Sequence, residues 1–357
     1  MVRRGLELAQ GFYYDVVTPL IDVPHAASLI GEGSEVLGYD QDRSKDHSWG
    51  PRLQLFVEDH NVERVQYIVD TSLPSEYDGY PVRFYSWQTE TVRHHVEVST
   101  LEKWLRSHLR FVHPSELTSS RWLTMPQQHL LQFTSGKVFH DDLGNLSKMR
   151  EILAWYPRDV WLWIMAAQWQ SIASTEHFLG RTAEALDYLG SHLNAFRLVQ
   201  RIMELAFLHE RRYYPYPKWF GTAFSRLQIS QSLGPIINSV LPSANPQARE
   251  DGINRALVIL AKSHNSLGLT RPVPPTLDHY HVGINNAVRP YLVLNAGDYA
   301  KACLDAISDA SLRNLPLIGA LDQLINVTDL FINFTTGPAK LEALYTLDSN
   351  SSISFTV

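Results

Sequence analysis

The spacing of apolar residues changes character near residue 113, and no other feature constrains the fold as much. Before that point apolar and polar residues alternate over short runs. In Arg52–Glu58, Leu53, Leu55 and Val57 fall on one side, the period of two that a half-buried strand produces. Val82–Trp87 and His95–Ser99 read the same way. Helical spacing over Gly5–Ile21 and Asn61–Ser72, and a helix capped by Thr100 and running to about His108, complete the first part. After it, Leu146–Trp155, Asp159–Ser174 and Thr182–His209 repeat apolar residues at three and four. Trp155, Trp161, Trp163 and Trp169 add bulky apolar area there. These textures predict an α+β module over 1–112, an all-helical domain over 113–347, and a Ser-rich, frayed tail over 348–357.

The 357 residues suffice for two domains of ordinary size. With 45% apolar and 19% charged residues, wholesale disorder is excluded. A net charge of −6 argues against a nucleic-acid partner, which would favour a basic surface. Cys303 is the only cysteine, so neither an internal disulfide nor a multi-cysteine zinc site can form. The longest apolar run, Val160–Ala167, is eight residues, against roughly 20 for a membrane helix. Glu7 interrupts the stretch after Arg3 and Arg4, so a secretory segment is not expected. The expectation is a cytoplasmic protein with a small-molecule partner and no membrane partner.

The most specific segment runs from Gly33-Ser34 through Gly38 to Asp46-His47-Ser48-Trp49. A Gly-Ser turn at a helix start lets backbone N–H groups approach a phosphate, and the helix terminus favours negative charge there. An acidic residue facing it, expected on the next strand, can hold Mg²⁺ against phosphate oxygens. Alone, Gly33-Ser34 is an ordinary turn, and Asp46 pairs equally well with Arg43 or Arg52. Asp40 and Asp42 form another Asp-x-Asp, but in the spacer loop.

This arrangement resembles the nucleotidyltransferase superfamily, the fold of polymerase beta and of aminoglycoside nucleotidyltransferases. More closely, the chain resembles the domain-of-unknown-function 4037 family, through Gly33–Arg52, Val96-Glu97-Val98, Phe139-His140-Asp141, Tyr156-Pro157, Gly180-Arg181 and Tyr213–Trp219. The resemblance implies that the first module is a mixed sheet with helices, that Gly33 and Ser34 hold phosphate and that Asp46 is the first metal carboxylate. Glu97 is then the third carboxylate. The second position of the Asp-x-Asp pattern falls on Ser48, a departure that puts a two-metal mechanism in doubt. It further implies ATP or another nucleoside triphosphate as substrate, Mg²⁺ or another divalent ion as cofactor, and a cleft between the two domains. Glu176 then resembles a helical-domain carboxylate that deprotonates an acceptor hydroxyl.

Asn194, Arg197, Arg201 and Glu204 form a polar stripe at helical spacing. Its arginines can clamp a triphosphate, or the stripe is a solvated outer face. Lys218, within the aromatic and proline-rich Tyr213–Trp219, can neutralise phosphate, or the segment is a packed loop. Histidines number 15. His140-Asp141-Asp142, His279-x-His281, His94-His95 beside Glu97 and His47 beside Asp46 offer ligands for a transition metal. No HExxH, P-loop, dinucleotide fingerprint or nucleophile elbow occurs. The leading reading is metal-dependent nucleotidyl transfer to a small molecule. The alternatives are a non-catalytic ligand-binding descendant, and a repurposed enzyme of secondary metabolism that holds another metal through His and carboxylate groups.

Overall fold

The structure, a computed structural model, describes residues 4–46, 49–86 and 90–324, with Asp46 described by its backbone alone. The tail from Asp348 and Trp87 lie outside the described residues. The fold is mixed α+β, and it divides into two compact units: Met1–Thr118 with Met125–Ala154, and Ser119–Thr124 with Trp155 onward.

The first unit contains strands β1 (His25–Leu29), β2 (Arg52–Val57), β3 (Glu76–Tyr77), β4 (Tyr80–Pro81), β5 (Arg83–Ser86), β6 (Thr91–Ser99) and β7 (Lys137–Asp141). Five of them form a mixed sheet in the order β5-β6-β2-β1-β7. The β2–β6 pair is parallel and sets Gln54 opposite Glu97; the other neighbours are antiparallel. The period of two in β2 sorts its side chains as the sequence predicts. Leu53, Leu55 and Val57 join Ala27, Leu29, Val96 and Val98 in one core. That core is closed by Ala9 and Phe12 of the helix Gly5–Phe12 and by Val65 and Val69 of the helix Val62–Ser72. Arg52, Gln54 and Phe56 therefore turn to the opposite face. There Phe56 meets Trp104 of the helix Leu101–Leu109, which Thr100 caps by accepting a hydrogen bond from Lys103 N at 3.1 Å. Strand β7 lies after residue 112 yet completes this sheet.

In the second unit the helix Arg158–Glu176 is buried on nearly every side, including Val160–Trp169 without interruption. This accounts for the long apolar run without invoking a membrane, and no helix among the described residues is long and apolar enough to cross one. The helical spacing over Thr182–His209 resolves into two helices, Phe178–Glu184 and Tyr188–His209. The chain breaks where Leu186 takes a left-handed φ of 56° and Asp187 caps the next helix by accepting a hydrogen bond from Gly190 N at 2.8 Å. The unit is not purely helical as expected: β8 (Asp278–His281) and β9 (Val288–Val293) form a hairpin.

Candidate functional site

The Gly-Ser turn leaves the end of β1 along a fixed path. Gln54 Oε1 accepts from Ile30 N at 3.0 Å, and the Gln132 carbonyl accepts from Gly31 N at 2.9 Å. Gly31 and Gly33 then adopt φ of 86° and 124°, a region that favours glycine. Residues 34–38 form a turn rather than the helix expected there. Tyr39 N donates to the Ser34 carbonyl at 2.8 Å, and Gly38, at a φ of 70°, turns the chain away. With no helix, no helix dipole aims at this turn.

The reason for glycine at position 33 is local. A Cβ there would overlap the Arg52 guanidinium and the Glu35 carboxylate. Arg52 donates to Glu35 Oε1 from Nε at 2.8 Å and from Nη2 at 2.5 Å, and its Nη2 also reaches the Glu32 carbonyl. Arg52 is thus committed to Glu35, across the turn. Asp46 closes the short 3₁₀ helix Asp42–Asp46 instead of lying on the next strand, which begins at Arg52. Its side chain, with His47 and Ser48, lies outside the described residues. Asp40 accepts from Gly5 N at 2.9 Å and so holds the start of the first helix.

The structure brings Gly31 and Glu32, which lead into this turn, and Glu97 to one cavity of about 600 Å³, lined also by Arg52, Arg93 and Trp104. Glu97 is exposed on β6, and its carboxylate makes no hydrogen bond or ion pair among the described residues. Arg93 is exposed four residues earlier on the same strand. The exposed His108 ring stacks at 3.9 Å on the buried Trp104 ring, and both residues line the cavity. His95, opposite Arg52 in the ladder, stacks on Phe84 at 3.9 Å and bonds the Phe84 carbonyl through Nε2 at 3.2 Å. Burial lowers its pKa to about 4, so it is neutral near pH 7 and not a cation for phosphate. His94 instead pairs with Asp70 at 2.6 Å and holds that carboxyl below its ordinary range. Of the residues singled out in the sequence, Glu97 lines this cavity, and Gly33 and Ser34 are not among its lining residues. Arg93, Gln54 and Trp104 were missed, because only the β2–β6 register and the helix laid over this face bring them here.

The donor set tests the fit for a divalent cation. Glu97 and Glu32 supply hard oxygen donors to the cavity, the type Mg²⁺ prefers. No three His, Asp, Glu or Cys ligand atoms of this cavity converge within 4.8 Å among the described residues. A Mg²⁺ site here therefore depends on Asp46 joining Glu97.

The remaining candidates lie in the second unit. Glu176 is only 7% exposed. Its two carboxylate oxygens accept from Leu294 N and Ala296 N, each at 2.9 Å. Burial raises its pKa to about 7 against the pull of these bonds. That pKa suits a base, but the carboxylate is spent on pinning the loop after β9. Arg201 donates to the Ser171 carbonyl at 2.6 Å and to the Thr175 hydroxyl, and Glu204 accepts from Gln168 and Gln200 at 2.9 Å. The polar stripe thus locks neighbouring helices at these two positions. Arg197 is exposed. Lys218 is exposed at the start of the helix Pro217–Phe224, its ammonium 5.1 Å from the Trp219 ring. Cys303 is buried and its thiol is pushed up to about 12, which removes it as a nucleophile.

One family model, described as Domain of unknown function (DUF4037), matches residues 122–220. That span is a little over a quarter of the chain. It holds Glu176, Arg197, Arg201 and Lys218 but not Gly33, Ser34, Asp46 or Glu97. No curated protein and no solved structure gives a match.

Proposed function

We propose that the first unit binds a nucleoside triphosphate with a divalent cation and transfers its nucleotidyl group to a small-molecule acceptor. The observation that carries this reading is the shared cavity: the Gly31–Glu32 end of the turn and the exposed Glu97 carboxylate line the same space. Its volume of about 600 Å³ lies in the range of small-ligand sites. Glu97 and Asp46 would hold the ion, which supplies charge neutralisation at the phosphates when bound. Gly33 and Ser34 border the phosphate path, and Arg93 offers a cation on the same strand as Glu97. The exposed His108 ring, backed by Trp104, offers a nucleobase an aromatic ring to stack on. Rate enhancement on this scheme comes from positioning and electrostatics.

A second reading, a binding protein without transfer activity, is favoured by one feature. Ser48 stands where the motif needs its second carboxylate. Titration calorimetry with Mg²⁺ and a non-hydrolysable ATP analogue tests what the two readings share, and pyrophosphate release from ATP separates them. Glu97→Gln is expected to weaken binding at least about 10-fold, by loss of a carboxylate ligand. Absence of binding at millimolar nucleotide, or unchanged affinity in Glu97→Gln, overturns both.

A further inference from the structure

The turn after β7 places two imidazoles and a carboxylate together, at the far end of β1 from the Gly31–Ser34 turn. Asp142 N donates to the His25 carbonyl at 3.1 Å, and His25 N donates back to Asp142 Oδ2 at 3.0 Å. This two-way clasp fixes the Asp142 carboxylate at the head of β1. His140, paired with Ala27 in the β1–β7 ladder, sets Nε2 2.8 Å from Asp142 Oδ1. The His25 and His140 rings lie 4.7 Å apart between centroids. One ligand atom each from His25, His140 and Asp142 falls within 4.8 Å of the others, the only such group of three among the described residues.

We propose that His25, His140 and Asp142 bind a divalent transition-metal ion of the Zn²⁺ or Fe²⁺ type, in a site separate from the nucleotide cavity. Two nitrogen donors with one carboxylate oxygen suit such ions and disfavour Mg²⁺, which takes oxygen donors in an octahedron. Donors around a tetrahedral ion with bonds of about 2.0–2.1 Å sit about 3.3 Å apart. Closing from 4.8 Å thus needs movements of about 1.5 Å or less, within reach of side-chain torsions. The His25 ring already has the support that metal-bound imidazoles use. Nδ1 lies 2.9 Å from the Val23 carbonyl, and Nε2 lies 2.8 Å from the Tyr13 hydroxyl. Whichever nitrogen the ion takes, the other keeps a partner that orients the ring. Tyr13 also stacks on Phe139 and His140, which limits how far His140 can turn away. Three protein ligands leave at least one coordination position for water.

The test uses the full chain after treatment with a chelator, titrated separately with Zn²⁺ and Mg²⁺ by calorimetry, with Co²⁺ absorption as a second readout. The expected result is one Zn²⁺ per chain, with no comparable Mg²⁺ binding and ligand-field bands with Co²⁺. His140→Ala and Asp142→Asn are the variants of choice, since their side chains are 38% and 40% exposed and tolerate change better than buried His25. Each is expected to weaken Zn²⁺ binding at least about 10-fold, while circular dichroism and unfolding temperature in metal-free buffer stay near those of the parent. Absence of stoichiometric Zn²⁺, equal affinity for Mg²⁺, or Zn²⁺ affinity unchanged in the His140→Ala/Asp142→Asn double variant overturns the proposal.

Discussion

Arg52 and Glu35 form an ion pair whose side chains are only 13% and 5% exposed. Removing one member of such a pair leaves an uncompensated buried charge. Arg52→Met is therefore expected to lower the unfolding free energy by about 3–5 kcal/mol. Arg52→Met/Glu35→Met should recover most of that loss, since apolar replacement of both partners removes the stranded carboxylate. Urea denaturation reads both. A single-variant cost below about 1 kcal/mol would show that the pair is not buried in the sense argued. Gly33 belongs to the same unit of structure, because its missing Cβ makes room for this guanidinium. Gly33→Ala and Arg52→Met should then be strongly non-additive in a double-mutant cycle. This packing role is the bland alternative to phosphate binding for the Gly-Ser turn, and the cycle measures how much of the glycine it explains.

At the scale of elements, a glycine in a helix normally costs about 0.5–1 kcal/mol relative to alanine, so Gly180 in the helix Phe178–Glu184 looks replaceable. The fold reverses that sign. A Cβ at position 180 would overlap the Tyr291 ring of β9, which is 7% exposed. Gly180→Ala is expected to destabilise by about 1–3 kcal/mol through overpacking, measured as a lower denaturation midpoint. A gain in stability would mean that the hairpin packs elsewhere. The same hairpin was illegible in the sequence, for a physical reason. Asp278–His281 is Asp-His-Tyr-His and carries no apolar alternation, and β7 has just Val138 and Phe139 side by side. Such strands are held by their neighbours' backbone and not by their own pattern. The strand β2 and the helices Val62–Ser72, Leu101–Leu109 and Arg158–Glu176 carry their own periodicity, and their spans match the spacing closely.

Across the whole molecule, the candidate residues legible in the sequence are those whose pattern is local. The Gly33 turn and the Val-Glu-Val strand announce themselves in a few consecutive residues. Glu176 misleads because its partners, Leu294 and Ala296, lie some 120 residues on, and no short-range signal reports them. Buried ionisable groups of this kind instead set the response to pH. His209 and His264 are buried beside Trp169, whose indole N–H donates to His264 Nδ1 at 3.1 Å. Burial lowers their pKa values to about 3 and about 4. The unfolded chain therefore binds their protons first as pH falls. Their contribution is fully present above about 6.5, the ordinary histidine value, and is lost on acidification towards about 4. At pH 5 each costs about 2 kcal/mol relative to pH 7, from 1.36 kcal/mol per pKa unit. Glu176, raised to about 7, acts with the opposite sign. Its contribution is present below about 4.5 and fades as pH rises through 7, so between pH 7 and 5 it offsets about 2 kcal/mol of that loss. Burial lowers His95 and His129 to about 4 as well, and they act in the same sense, so urea unfolding followed by tryptophan fluorescence should show a pronounced fall in stability from pH 7 to pH 5. Glu176→Gln removes the offset and should make that fall steeper by about 2 kcal/mol. An unchanged slope in the variant would mean that Glu176 stays ionised in the folded protein, its two backbone N–H bonds outweighing its burial.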